Sequence, residues 1–81
     1  MYYTYILKSS KTGKLYIGQT NNLKKRLFRH NNNLNPSTKG KGPWDLIYSK
    51  TFETRSEAII HELKLKKMKN THFILSNLDK L

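Results

Sequence analysis

The chain has 81 residues, the length of one small domain with a thin core, and it contains no cysteine. Disulfide staples and thiolate metal sites are therefore excluded, and packing alone must supply the core. Sixteen Lys and Arg against five Asp and Glu give a formal net charge of +11, which is typical either of a nucleic-acid-binding domain or of a merely basic surface.

The sequence shows no membrane or export segment. No apolar run approaches the roughly 20 residues that a membrane-spanning helix requires. Residues 1–7 lack a basic start and are rich in tyrosine, which favours a strand over a signal peptide. We therefore expect a cytoplasmic chain that forms a single domain over residues 1–81.

A β-hairpin is predicted at the start of the chain. Residues 2–8 and 14–18 are rich in Tyr, Ile and Leu, as strands are, and turn-forming residues separate them. Because side chains alternate between the two faces of a strand, an even loop would place Tyr5 and Tyr16 on the same face, and an odd loop on opposite faces. The sequence alone leaves both arrangements open.

A helix is predicted next. Residues 20–22 offer Thr and Asn as N-caps for a helix that runs to about residue 32. Leu23 and Leu27 share one face of it, whereas Arg26 and His30, four residues apart, share another.

A basic loop over residues 33–43 follows, rich in Asn, Gly, Pro and Lys, and we expect it to need an ordering contact or a bound anion. A third strand is predicted over residues 44–53. Its predicted alternation places Leu46, Tyr48 and Phe52 on one face and Ile47 on the other.

Two further helices complete the predicted order. Thr54 or Ser56 caps a helix that runs to about Lys69, and residues 71–81 have Ile74, Leu78 and Leu81 at helical spacing. The order β-β-α-β-α, with a third helix, predicts an α+β fold in which helices cover one small, mostly antiparallel sheet.

Glu62 is the acidic residue with the most informative position. On a helical wheel it falls between Ala58 and Leu65, where a carboxylate is costly unless it meets a cation or a metal. The ordinary alternative, which helical geometry alone favours, is a partly exposed Glu62 paired with Lys66 at i+4. A lone carboxylate also suits Mg²⁺, which often takes only one or two and fills its other positions with water and phosphate.

Strand packing is the first explanation of the tyrosines, most strongly for Tyr2, Tyr3 and Tyr48. Catalytic use of a phenol needs a nearby metal or cation that lowers its pKa. Phosphodiester cleavage also needs a cation on the developing phosphorane charge, for which Arg26 is suited. The histidines lack the spacing of zinc ligands, and His61 and His72 are predicted to be surface or packing residues.

These residues together resemble the GIY-YIG nuclease family. Tyr3-Thr4-Tyr5 stands at the family's first triplet, and Tyr16-Ile17-Gly18 reproduces the second. Residues 21–27 resemble the family's Arg-bearing helix, and His30 matches a His common in small members. Residues 41–44 resemble the segment before the third strand, and residues 56–66 the helix with the metal-binding Glu. The resemblance covers residues 2 to about 70 and is greatest to small stand-alone members related to the nuclease domain of the excision-repair incision subunit.

The resemblance implies a three-stranded antiparallel sheet flanked by helices, and a DNA endonuclease of repair or recombination that uses one Mg²⁺ or Mn²⁺. By the same resemblance, Glu62 would bind the metal and Arg26 would stabilise the scissile phosphate. Tyr5 and Tyr16 would position or deprotonate the attacking water, supported by His30. Which tyrosine is the base stays open.

The first triplet departs from the family pattern, because Tyr3 replaces the leading glycine and Thr4 replaces the middle residue. The alternative is accordingly a nucleic-acid-binding module on the same fold with little or no catalysis. In either case the partner is DNA, including branched or damaged DNA, and a partner protein can add substrate affinity. The predicted phosphate contacts are Lys24, Lys25, Arg29, Lys39, Lys41 and Lys66, with Lys64, Lys67 and Lys69 as further cations.

Overall fold

The computed structural model describes residues 1–68 and 70–81. The strands are β1 (Tyr2–Ser9), β2 (Leu15–Thr20) and β3 (Trp44–Phe52), and the helices are α1 (Leu23–Asn31), α2 (Arg55–Lys66) and α3 (Thr71–Ser76), followed by a 3₁₀ turn (Leu78–Lys80). The strands form one antiparallel sheet in the order β2-β1-β3. This confirms the predicted α+β fold and its third helix. Helix α2 ends at Lys66, and Lys69, the predicted helix end and a predicted cation, lies outside the described residues.

Side-chain caps set where the helices begin. Asn22 accepts a hydrogen bond from the Lys25 backbone N–H at 3.0 Å, and Thr54 accepts one from Glu57 at 3.3 Å. Each bond satisfies a backbone donor that has no partner within the first turn of its helix. Within the described ranges, no helix has both the length and the apolar character that a membrane crossing demands.

The register of the hairpin places both motif tyrosines on one face of the sheet. Leu7 pairs with Tyr16 and Tyr5 pairs with Gly18, and the connection over residues 9–14 is even. Directly opposed residues share a face in an antiparallel pair, and so do residues two apart on one strand. Tyr5 and Tyr16 therefore point to the same side, as the even-loop alternative requires. Gly13 in this turn has the positive φ of 75° that favours glycine.

The central strand β1 is buried on both faces. On one face Tyr5 and Leu7 pack with Trp44, and the α1 residues Leu23 and Leu27 cover them, as their spacing predicts. On the other face Ile6 packs with Leu65 of α2 and Ile74 of α3, and Leu78 and Leu81 close this second cluster. The sheet thus separates two small cores, and the Tyr5 side lies under α1.

A β-bulge changes the predicted pattern of β3. Tyr48 pairs with Ile6 and Leu46 pairs with Leu7, so Ile47 is the extra residue between them. Leu46 and Tyr48 consequently lie on opposite faces, and the prediction that they share one is wrong. Leu46 is 40% exposed, whereas Ile47 and Tyr48 both pack against the Ile6 cluster.

Contacts within the protein order the loop over residues 33–43. The Asn31 side chain accepts a hydrogen bond from the Trp44 backbone N–H at 2.6 Å and donates one to the Trp44 carbonyl at 3.2 Å. Asn33, at a φ of 59°, accepts from the Gly40 N–H at 2.9 Å, and the Ser9 hydroxyl donates to the Lys41 carbonyl. Of the two alternatives, an ordering contact and a bound anion, the first is therefore observed.

Candidate active site

A buried tyrosine–histidine pair lies on the sheet face under α1. Tyr5 is 1% exposed and His30 is 0% exposed, and 3.1 Å separates Tyr5 Oη from His30 Nε2. His30 occupies the last turn of α1, one turn after Arg26. Burial lowers the pKa of His30, and the nearby Arg26 and Arg29 lower it further. The imidazole is therefore neutral at neutral pH, so it can both donate and accept a hydrogen bond.

Tyr16 lies against this pair from β2. Its ring centroid is 4.8 Å from that of His30, 6.4 Å from that of Tyr5 and 6.4 Å from that of Trp44. Tyr16 is only partly buried, in contrast to Tyr5. The two motif tyrosines thus form one aromatic cluster, in which Tyr16 is the more accessible to a substrate.

Gly18 makes room for the Tyr5 phenol. A Cβ at this position would lie 2.7 Å from Tyr5 Oη and 2.9 Å from Tyr5 Cζ, closer than real carbon contacts allow. The glycine of the second triplet is thus explained by the tyrosine of the first. The leading position of the first triplet is less demanding, because Tyr3 is accommodated there, partly exposed between Thr20 and Thr51.

Arg26 and Glu62 both influence the pKa of Tyr5. Burial raises this pKa, and the neighbouring Tyr16 raises it further. The positive charge of Arg26 opposes this shift, while the Glu62 carboxylate adds to it. The structure thus brings Tyr5, Tyr16 and His30 together on one face of the sheet, with Arg26 one turn before His30 on α1, and places Glu62 on α2.

Glu62 is mostly buried and is paired with a lysine. Its side chain is 17% exposed, and Oε2 lies 2.6 Å from Nζ of Lys66, whose side chain is 50% exposed. The predicted i+4 pairing is thus present. Lys66, also predicted as a phosphate contact, already neutralises this carboxylate.

The donors at this site fit one hard divalent cation. Across residues 1–68 and 70–81, no group of three or more His, Cys, Asp or Glu is close enough to hold a metal. An all-protein cage is therefore excluded for the described part of the chain. Glu62 offers a single carboxylate, which fits Mg²⁺ or Mn²⁺, for which water and substrate phosphate supply the remaining ligands.

A basic cavity of about 350 Å³ adjoins Arg26. Its charged lining consists of Lys25, Arg26 and Arg29 of α1, and its polar lining of Thr20, Asn21, Asn22 and Asn35, with Pro36. Among the other predicted phosphate contacts, Lys24, Lys39 and Lys41 are exposed but do not line this cavity. The structure therefore brings two of the predicted lysine and arginine contacts next to Arg26 and leaves three elsewhere on the surface.

Thr38 is a site residue that the sequence gave no reason to select. It is 0% exposed, and its Oγ1 lies 2.8 Å from Nδ1 of His30. A threonine in an Asn-, Gly- and Lys-rich loop carries no signal of such a contact, which arises only from the path of the loop.

The other two histidines lie outside this site. His61 is a packing residue, as predicted: it lies on the other sheet face, with Nε2 2.9 Å from Tyr48 Oη. His72 is exposed.

Comparison with known proteins identifies the family of this chain. Residues 1–75 match the family model of the GIY-YIG catalytic domain. The UPF0213 protein of Clostridium perfringens is 46% identical over 69 residues, which cover 84% of this chain and 73% of that protein. The UPF0213 protein of Staphylococcus saprophyticus is 39% identical over 66 residues, covering 80% and 79%. The solution NMR structure of a UPF0213 protein from Bacillus halodurans aligns with a TM-score of 0.59 at 27% identity, covering 99% of this chain and 86% of that one. The chain therefore belongs to the GIY-YIG family of nuclease domains.

Proposed function

We propose that this chain is a metal-dependent endonuclease that hydrolyses DNA phosphodiester bonds in repair or recombination. The observation that carries the proposal is the contact of Tyr16 with the buried Tyr5–His30 pair, with Arg26 on the same helix as His30 and lining a basic cavity. Packing alone does not require two phenols, an imidazole and an arginine to lie at one place. Their meeting beside a surface of net charge +11 fits an anionic substrate.

Glu62 is the residue that would hold the metal, with Mg²⁺ or Mn²⁺ as the ion that suits a single carboxylate. When bound, such an ion supplies positive charge near the phosphate and lowers the pKa of a coordinated water. A metal ion at Glu62 would have to displace Lys66 from Oε2 or share that oxygen with it, because the ammonium group and the metal ion would bind the same carboxylate.

Arg26 acts on the substrate phosphate. Its planar guanidinium carries several donors in a fixed fork that matches phosphate oxygens. The negative charge on those oxygens grows as water adds to phosphorus, so a prearranged cation stabilises the transition state more than the ground state.

The two tyrosines divide the handling of water. Tyr16, the more exposed of the two, contacts the attacking water. Its phenol oxygen accepts a proton from that water and releases the phenolic proton to solvent. The water oxygen bonds to phosphorus as the ester P–O bond breaks, and the leaving oxygen takes a proton from a solvent water molecule. Tyr5 remains protonated because its pKa is raised, and it acts through its oxygen lone pairs.

A second candidate, a DNA-binding module without catalysis, is favoured by one observation. Lys66 occupies Oε2 of Glu62, which weakens any competing cation at that carboxylate. The two candidates agree on DNA as the partner and differ only in whether the phosphodiester bond is cut.

A nicking assay separates them. Duplex, single-stranded, flapped and branched DNA are incubated with the chain and Mg²⁺, Mn²⁺ or EDTA. We expect cutting that EDTA abolishes and that Glu62→Gln abolishes without loss of folding. Glu53→Gln, which removes an exposed carboxylate, is the matched control and should cut normally. Salt-sensitive DNA binding by the wild-type chain with no cutting under any condition would select the binding module, and undiminished cutting by Glu62→Gln would refute the role of Glu62.

A further inference from the structure

The loop over residues 33–43 delivers one buried hydroxyl to one nitrogen of His30. Thr38 Oγ1 lies 2.8 Å from His30 Nδ1, and both residues are 0% exposed. The Thr38 backbone N–H donates to the Asn35 carbonyl at 3.1 Å, and the Trp44 indole donates to the Thr38 carbonyl at 3.4 Å. Thr38 is thus held from both sides, so its hydroxyl is a fixed partner of the imidazole.

Two proton arrangements fit these distances. A neutral imidazole carries one proton, either on Nδ1 or on Nε2, and the other nitrogen accepts. Nε2 faces the Tyr5 hydroxyl and Nδ1 faces the Thr38 hydroxyl, and each hydroxyl can donate or accept. The choice is therefore decided by where the remaining donors find acceptors.

In the first arrangement every donor has an acceptor. Nδ1–H donates to Thr38 Oγ1, and the Thr38 hydroxyl donates to the Asn35 carbonyl at 3.4 Å. The Tyr5 hydroxyl then donates to Nε2 at 3.1 Å. No donor of this network is then left without an acceptor.

In the second arrangement one buried donor is left over. The Thr38 hydroxyl donates to Nδ1, and Nε2–H donates to the Tyr5 oxygen. The Tyr5 proton must then turn away from His30, which is the hydrogen-bond partner of this hydroxyl within the described residues. A buried donor without an acceptor is costly, so this arrangement is disfavoured.

We propose that Thr38 is a positioning residue that fixes His30 as the Nδ1–H tautomer and thereby keeps Nε2 the acceptor of the Tyr5 hydroxyl. The effect passes from Thr38 through His30 to the phenol of the first triplet. Loss of the Thr38 hydroxyl frees Nδ1 from its partner and lets Nε2–H form. The Tyr5 hydroxyl then loses its acceptor and turns away from His30.

Nuclear magnetic resonance tests the tautomer without any substrate. The ¹⁵N chemical shifts and long-range ¹H–¹⁵N couplings of the imidazole rings are measured slightly above neutral pH in four chains. These are the wild type, Thr38→Val, which keeps the shape of the side chain, Thr38→Ser, which keeps the hydroxyl, and Ser37→Ala, which removes an exposed hydroxyl nearby.

We expect Nδ1–H at His30 in the wild type, Thr38→Ser and Ser37→Ala, and a mixture or Nε2–H in Thr38→Val. Nε2–H in the wild type, or an unchanged Nδ1–H in a folded Thr38→Val, would overturn the inference. The wild-type measurement decides alone if Thr38→Val does not fold.

The kinetic consequence rests on the proposed function and is measured separately. We expect kcat for DNA nicking to fall by about 10- to 100-fold in Thr38→Val, by analogy with the range for hydrogen-bond partners that orient metal-binding histidines, with KM nearly unchanged. Thr38→Ser should restore kcat. A wild-type chain that cuts no DNA would refute the proposed function and leave the tautomer result standing. A cutting wild type with Nε2–H would refute this inference alone.

Discussion

Gly18 faces Tyr5 across the β1–β2 ladder, and a Cβ at Gly18 would lie 2.7 Å from the Tyr5 hydroxyl oxygen. This is the oxygen that lies 3.1 Å from His30 Nε2 and that carries the influence of Arg26. The two triplets of the sequence are thus parts of one steric arrangement. The backbone of the second strand leaves the space in which the phenol of the first meets its partners.

Gly18→Ala should displace the Tyr5 ring and destabilise the fold by about 1–3 kcal/mol, the usual cost of overpacking a tight site. Urea unfolding measures the change in free energy. In Gly18→Ala combined with Tyr5→Phe, the nearest clashing atom is absent, so the double variant should be less destabilised than the sum of the single changes. Gly42→Ala is the control, because its Cβ would meet Trp44 at an ordinary 3.4 Å. Simple additivity of the two changes would contradict the proposed contact.

Replacing Arg26 should change both catalysis and titration. We expect Arg26→Gln to lower kcat for nicking by about 100- to 1000-fold, the range for loss of one donor to developing negative charge. The positive charge of Arg26 also lowers the pKa of His30, and the pKa of His30 should therefore rise in Arg26→Gln. An NMR titration of His30 measures this shift whether or not the chain cuts DNA.

Arg26→Lys keeps the charge but not the planar fork. It should therefore hold the pKa of His30 near its wild-type value while kcat remains low. Equal His30 titration in Arg26→Gln and wild type would show that the guanidinium does not act on the imidazole.

The stability of the fold should decrease as the solution becomes acidic. Burial lowers the pKa values of His30 and His61, helped by Arg26 and Arg29 at the first and by Lys50 and Lys64 at the second. The unfolded chain, in which histidine titrates near 6.5, therefore binds protons before the folded chain does. The contribution to stability is complete above the unfolded pKa and is lost as the pH falls through the lowered folded values.

Urea midpoints between about pH 5 and pH 8 measure this dependence. His30→Gln and His61→Gln should each give a shallower dependence, whereas His72→Gln, at an exposed position, should leave it unchanged. A stability that rises as the pH falls from 6.5 would have the wrong sign for buried neutral imidazoles.

Removing Lys66 should free the Glu62 carboxylate for a metal. Lys66 is half exposed, and ion pairs with an exposed lysine contribute roughly 0.2–1 kcal/mol, so Lys66→Gln should tighten Mn²⁺ binding by at most about fivefold. Calorimetric Mn²⁺ titration measures the affinity, with Lys67→Gln as the control from the same helix end. Weaker Mn²⁺ binding in Lys66→Gln would mean that the lysine helps to arrange the metal site instead of competing with it.

The alternation and spacing of the apolar residues predict most of the fold but not its exceptions. Leu23 and Leu27 cover Tyr5 as their helical spacing indicates. The bulge at Ile47 was not predictable, because it depends on how β3 pairs with β1. It reverses the faces of residues 44–46 relative to the alternation that continues from residue 48. The hairpin register was likewise open until the pairing of Tyr5 with Gly18 was known.

The candidate site was also predictable only in part. Its five predicted residues come from motif resemblance, which carries residue types and order but no distances. The partner of His30 is different, since Thr38 lies eight positions along the chain in an irregular loop and meets Nδ1 only because Asn31 and Trp44 close that loop. Contacts made by loop hydroxyls have no periodicity from which they can be predicted.

The basic cavity should contribute to DNA affinity more than the other surface cations do. Lys25 and Arg29 line it beside Arg26, whereas Lys24, Lys39 and Lys41 are exposed outside it. A lysine or arginine that neutralises a phosphate releases counterions, so its removal should lower the slope of log K against log salt by about 1. We expect this change for Lys25→Gln and for Arg29→Gln, and a smaller one for Lys24→Gln.

Binding is measured in the non-cutting Glu62→Gln chain by fluorescence anisotropy at several salt concentrations, so that hydrolysis does not interfere. Lys11→Gln, in the exposed hairpin turn, is the control. Equal slopes for Lys25→Gln and Lys11→Gln would mean that DNA senses only the overall positive charge and that the cavity is not its binding site.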